Sequence, residues 1–470
     1  MTHLDQNVRF IEHRENRTFI ILALIFGIAY IVFNPPFCVN DEISHLPRVF
    51  ELSQGRLLTR SDTQGAYHLV PPDYPEVGSR FFRLPSWQKR HRRIHAHQVT
   101  RLLAAPHGEQ KTLRVRARAG SYTPVPYLAE IPAIWIASAL GLPVLWHLYL
   151  ARVFSLLAFI ALAALAISKA GALRWAYMAL ALLPMSLTQA AGVSADGLTN
   201  GLALLFFALL TSRSVVSDQH CTRRDGTLIG LLVVALSLCK PVFALLAIAT
   251  LVLKWRGPRA AWKRWGYAAA TWTASCAALL GWFYLNRDLS NPDKYSAPAQ
   301  MHWLLLHPFS DVRVLGETIF QRGDDWLIQF VAVRDQLSSQ LRLTGGVTVA
   351  LAVPLLVLLS WGALRSTHAP LATRRWVTFW MAITWLGHFG AVALAMYLTF
   401  TPMANPVIEG IQGRYFLPMA PALVLLLSLW GRPVIGRWLT QYHGRVVGIA
   451  MVFLNLCVLI ALTGRFYGPA

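Results

Sequence analysis

Eleven apolar stretches, most of them long enough to cross a hydrocarbon layer roughly 30 Å thick, decide what this chain can fold into. They run at about 18–36, 149–168, 174–191, 195–212, 226–239, 241–254, 265–285, 344–363, 376–398, 413–430 and 446–463, with charges confined to their flanks. In lipid such a segment satisfies its own backbone only as a helix. The sequence therefore predicts an all-α polytopic membrane protein of about 11 transmembrane helices, with residues 1–470 forming a single membrane domain. Composition agrees: charged residues make up 14% of the chain, against about 25% in a soluble domain, and mean hydropathy is +0.45.

Basic residues set the expected orientation. Arg9, Arg14 and Arg17 precede the first run, and Pro35-Pro36 follows it in place of a small-residue cleavage site, which predicts an uncleaved signal anchor. With the amino terminus cytoplasmic, the loops 169–174, 213–224, 254–264, 365–375 and 432–445 all fall on the cytoplasmic side, and all are basic. Residues 122–140 are also apolar, but counting them as a span would invert every later loop. They carry Pro124, Pro126, Pro132 and Glu130, so an interfacial or re-entrant segment is expected. Two large loops then face the periplasm of a bacterial inner membrane: 37–147, with interfacial helices, and 286–342. The first is rich in arginine and lysine, including Arg83, Lys89, Arg90, Arg92 and Lys111, and the net charge is +21. That charge suits anionic headgroups, lipid phosphates or acidic glycans, or simply neutralises the bilayer surface. In the second loop Tyr295, His302, Trp303 and Trp326 read first as interface markers and second as sugar-stacking rings. No nucleic-acid motif, phosphate loop, dinucleotide-binding glycine pattern, nucleophile elbow or zinc-binding spacing is present, and the five cysteines outline no disulfide framework.

Chemistry-bearing residues start where the first apolar run ends, with the adjacent carboxylates Asp41 and Glu42, then His45 and Arg48. Asn40 or Asp41 is placed to cap a helix reaching to Gly55, on which Asp41, His45 and Arg48 share a face. A carboxylate at a helix amino terminus is held ionised, as a general base requires; the plainer reading makes Asp41 a cap and Arg48 a partner of the acidic pair.

Pro35-Pro36-Phe37, Asp41-Glu42, His45, Arg48 and Leu52-Ser53 with Gly55 together resemble the opening of a family of bacterial membrane proteins known as domain of unknown function 2142. Three further stretches carry the same resemblance: Leu183-Pro184-Met185-Ser186 leading to Gly192-Val193-Ser194-Ala195-Asp196-Gly197; Cys239-Lys240-Pro241; and Gly410 through Pro418, which includes Gln412 and Arg414. Val39-Asn40, Ile43 and Gly192 depart from the pattern and leave the acidic pair intact. The family in turn is similar to the GT-C class of integral-membrane glycosyltransferases. That resemblance implies a GT-C-like fold and an inverting transfer of sugar from a polyprenyl-phosphate donor to a surface glycan or lipid-linked acceptor. It implies Asp41 as base with Glu42 as alternate, and Arg414, Lys240 or Arg152 on the leaving phosphate. Asp196 would touch sugar or acceptor, or else cap the next helix; His45 would orient a carboxylate or help bind phosphate, or else be an incidental helix-surface residue; and Arg48 and Gln412 would help bind substrate. No cofactor is assigned, although an acidic pair attracts divalent cations. The competing expectations are a transporter or flippase for lipid-linked glycans, which would place ionisable groups near the bilayer midplane, and an assembly subunit.

Overall fold

The computed structural model describes residues 14–82, 93–105, 112–216, 220–289, 296–307, 310–332, 339–361, 363–364, 369–430 and 437–467. Arg9, Arg83, Lys89, Arg90, Arg92, Lys111 and Tyr295 lie outside the described residues, as do parts of the loops 213–224, 365–375 and 432–445.

Helix α1 (Arg14–Phe33) stops at Pro35-Pro36, where the ring of one proline forbids a helical conformation in the residue before it. Helix α2 (Glu42–Ser53) follows, then strands β1 (Arg60–Asp62) and β2 (Gly65–Val70), short helices α3 (Asp73–Phe82) and α4 (Ala96–Leu103), strand β3 (Leu113–Arg116) and helix α5 (Ile131–Ala139). The strands form an antiparallel sheet in the order β1-β2-β3. Ala66, His68 and Val70 point inward at period two, and β2 packs on α2. Nine residues of α5 span about 14 Å, half of a hydrocarbon core.

The bundle continues with α6 (Val144–Lys169), α7 (Arg174–Ala181), α8 (Pro184–Ala190), α9 (Asp196–Thr211), α10 (Arg223–Cys239), α11 (Leu246–Ala249), α12 (Ala260–Leu285), α13 (Ala297–Leu306), α14 (Ser310–Val331), α15 (Ser339–Ser360), α16 (Leu371–Phe400), α17 (Ala420–Leu429) and α18 (Arg437–Tyr467). Among the described residues six helices are long and apolar enough to cross a membrane: Glu15–Phe33, Val144–Lys169, Asp196–Val215, Ala260–Leu285, Leu371–Phe400 and Gly444–Tyr467. The other expected spans are shorter or broken. Residues 174–191 divide into α7 and α8 because Pro184 forces Leu183 out of helical conformation, at ψ 139°. Lys240 is extended before Pro241, so α10 ends there and a 3-10 turn, Pro241–Leu245, begins. Residues 241–252, 344–360 and 413–429 are apolar but short.

Small residues and one amide hold the bundle together. A Cβ on Gly197 would lie 2.7 Å from Ser155 Oγ, and one on Gly201 3.0 Å from Leu162 Cβ. These glycines, four apart, are what let α9 and α6 approach closely. Asn455 of α18 accepts a hydrogen bond from Tyr30 (3.0 Å) and donates to the Leu182 carbonyl (3.0 Å). It thus ties α18 to α1 and satisfies a carbonyl at the break between α7 and α8, which lipid would leave unpaired.

Candidate functional site

Four segments distant in sequence meet at the end of the bundle where α1 stops: the turn into α2, the start of α9, the Lys240 break, and the 3-10 turn Gly413–Met419. The turn into α2 begins with Asp41 in the left-handed region, φ 67°, a conformation that costs a non-glycine residue about 1–2 kcal/mol. Its carbonyl accepts the amides of Ser44 (2.8 Å) and His45 (3.1 Å) and so starts the helix. Its carboxylate caps nothing. Instead Oδ2 accepts from Arg414 Nη2 at 2.5 Å, with the side chain 54% exposed. Burial raises the Asp41 carboxyl, and the Arg414 guanidinium more than offsets it, so the group sits below the usual carboxylate range.

Arg414 is the hub. Gly413 before it has no room for a side chain, since a Cβ there would lie 1.8 Å from the Trp326 carbonyl, and its amide donates to Gln329 Oε1 (3.0 Å). With α14 thus in contact, Arg414 donates from Nε to Gln412 Oε1 (2.7 Å), from Nη1 to Asp196 Oδ2 (2.7 Å) and from Nη2 to Asp41. Three of the five guanidinium donors are engaged in this way. Asp196, buried at the start of α9, also accepts from Lys240 Nζ and from Gln189 Nε2 (3.2 Å). Tyr415 lies under both cations, its ring centre 5.0 Å from Lys240 Nζ and 5.2 Å from Arg414 Cζ. The result is a chain of alternating charge, Asp41, Arg414, Asp196, Lys240, whose most open member is Asp41.

Beside it lies a cavity of about 460 Å³ lined by Asn40, Met185, four residues of α14, residues 408–412 and Arg414. Ile408 N donates to Thr318 Oγ1 (2.9 Å), which fastens that loop to α14.

Three expected site residues belong elsewhere. Glu42 is fully buried and faces away from Asp41: Oε1 accepts from Arg152 Nε (2.8 Å) and Val193 N (3.1 Å), and Oε2 from Arg152 Nη2 (2.6 Å). Arg152 uses its two remaining Nη1 donors on the carbonyls of Ile31 (3.0 Å) and Asn34 (2.9 Å) and its last Nη2 donor on Pro35 (3.0 Å). All five donors are taken, so Arg152 pins the end of α1 to α2 and has none left for a phosphate. Arg48, also fully buried, donates to Glu51 (3.1 Å) and to the carbonyls of Leu57 (2.7 Å) and Tyr122 (3.1 Å), and holds the loop rather than a ligand. Asp196, expected to touch sugar or acceptor or to cap the next helix, stands at the start of α9 and accepts from both Lys240 and Arg414. Two of the departures from the family pattern, Val39 and Gly192, answer each other: the Val39 side chain occupies the space that a Cβ on Gly192 would need, 2.5 Å from Val39 Cγ1.

His45 is buried, with Nδ1 2.6 Å from the Tyr127 hydroxyl. Burial pushes it down to about 4, so it is neutral at neutral pH and is no phosphate ligand by charge. The unfolded chain takes up this proton below about pH 6.5, whereas the folded chain does so only near 4. Its contribution to stability is therefore whole above pH 6.5 and lost as the pH falls towards 4, by about 3 kcal/mol in total. Thermal unfolding of wild type and His45→Asn in mild detergent should converge over that interval; parallel pH profiles would refute the assignment.

Arg322, Asp325, Gln329 and Glu409 were not singled out from sequence. Their one signal was an amphipathic α14 with Asp325 and Gln329 four residues apart on the buried side. Among the described residues no group of three or more histidine, cysteine, aspartate or glutamate side chains is gathered as a metal site. Residues 24–423 match the model of a family described as predicted membrane protein (DUF2142). No curated protein and no solved structure matches the chain.

Proposed function

This chain belongs to the DUF2142 family of predicted membrane proteins, and we propose that it is an inverting, GT-C-type glycosyltransferase moving a sugar from a polyprenyl-phosphate donor to a surface glycan or lipid-linked acceptor. The observation that carries the reading is the open carboxylate of Asp41 held by the buried Arg414, which Asp196 links to the partly exposed Lys240, beside a polar cavity. In this mechanism Asp41 takes the proton of an acceptor hydroxyl. The hydroxyl oxygen bonds to the anomeric carbon as that carbon's bond to the phosphate oxygen breaks, and the electron pair leaves with the polyprenyl phosphate. The negative charge gathering on the phosphate is met by the two remaining N–H groups of Arg414 and by Lys240, which is 21% exposed. Asp196 keeps both cations in place between turnovers. Basic short loops at the opposite ends of the spans support a bacterial inner membrane with the site on its periplasmic side.

The reading is tested by reconstituting the full chain in liposomes with radiolabelled polyprenyl-phosphate sugars and extracted lipid-linked glycans. Label is expected to move to the glycan. Retention of the donor without transfer, across the donors tried, would turn the reading towards a transporter or an assembly subunit.

A further inference from the structure

The cavity beside Arg414 has a deep wall and an open mouth of different chemistry. Its deep wall is Asp325, Trp326 and Gln329 of α14, exposed 6%, 9% and 7%. Its mouth carries the exposed residues Arg322, Glu409 and Asn40. With Arg414 the lining holds two guanidiniums against two carboxylates, the amides of Asn40, Gln329 and Gln412, and one indole. A pocket for a phosphate is lined by donors and net positive, and one for a lipid tail is apolar. A lining without net charge, mixing paired donors and acceptors with an aromatic ring, suits a ligand of many hydroxyls and a hydrophobic ring face. The volume, about 460 Å³, is in the range of roughly 300–1,000 Å³ found for small-molecule sites. Lys240 does not line the cavity, and Asn40, next to the base, does.

From this geometry we infer that the cavity is the acceptor subsite and takes an uncharged sugar ring, with Asp325 and Arg322 as its hydrogen-bonding partners and Trp326 against its ring face; the word acceptor rests on the glycosyl-transfer reading, the sugar site does not. The donor phosphate then lies on the Lys240 side of Arg414 and the acceptor hydroxyl points past Asn40 to Asp41. The acceptor hydroxyl and the leaving phosphate then approach the anomeric carbon from opposite sides, as in-line displacement needs.

The test is saturation-transfer NMR on the full chain in a sugar-free amine-oxide detergent, with methyl glycosides of neutral hexoses and the corresponding methyl uronosides as probes. Neutral glycosides should bind wild type and Asp41→Asn alike, and bind about tenfold more weakly to Asp325→Ala and to Arg322→Ala. Arg322 sits at the exposed mouth, so its variant guards against a misfolded Asp325→Ala. Failure of neutral glycosides to bind, preference for the uronosides, or binding unchanged in both variants would overturn the subsite. In the transfer assay Asp325→Asn should raise the acceptor KM about tenfold and leave the donor KM alone. Sugar binding without transfer would defeat the enzyme reading only. Transfer with an unchanged acceptor KM would defeat the subsite only.

Discussion

Asp41→Asn is expected to lower sugar transfer by about 10²–10⁴-fold, the usual worth of a general base, with the unfolding midpoint nearly unchanged. Asparagine keeps an oxygen for Arg414 and the side chain is 54% exposed, so little packing is lost. The position also tolerates asparagine better than most residues, because its left-handed backbone, φ 67°, is one that Asn and Asp adopt most readily after glycine. Since Arg414 holds the Asp41 carboxyl below its ordinary value, the acid limb of the kcat/KM profile should fall below about pH 3.9, and any limb seen near neutrality belongs to another group. A variant that folds and transfers at the wild-type rate would remove Asp41 from the mechanism.

The meeting of Asp41, Asp196, Lys240, Gln412 and Arg414 was legible in the sequence as four motifs placed at the ends of apolar runs, because a hydrophobic span fixes where its flanking polar residues must lie. The partners were not. Helical spacing put Asp41, His45 and Arg48 on one face, but Asp41 enters α2 through a left-handed turn that swings its carboxylate to Arg414, while Glu42 next to it turns inward to Arg152. A single backbone dihedral thus separates the acidic pair into an open carboxylate and a buried one, and no periodicity in the sequence encodes that choice. The sheet was hidden for a different reason. β1 and β2 have three and six residues and β3 begins 43 positions after β2 ends, at Leu113, so its pairing is non-local and leaves a weak alternation pattern. The cavity wall was obscured because an amphipathic helix with tryptophan reads equally well as an interfacial helix. The close approach at Gly413 and its amide bond to Gln329 show that this helix turns its buried side towards Arg414.

Arg152→Met should have the opposite signature from Asp41→Asn: a stability loss of about 3–5 kcal/mol, typical of removing one member of a buried pair, before any question of catalysis arises. It strands the Glu42 carboxylate, fully buried, with only the Val193 amide, and it frees the carbonyls of Ile31, Asn34 and Pro35 at the point where α1 must end. Glu42→Gln should also destabilise, since an amide cannot receive the guanidinium fork on both atoms. The double variant Glu42→Gln, Arg152→Met should lose less than the sum of the single changes, because the penalty in each is chiefly the partner left behind. Unfolding midpoints of the four proteins in one detergent measure this coupling. Should Glu42→Gln instead be as stable as wild type yet inactive in transfer, Glu42 would be the base, and the ion pair with Arg152 a resting arrangement that substrate opens.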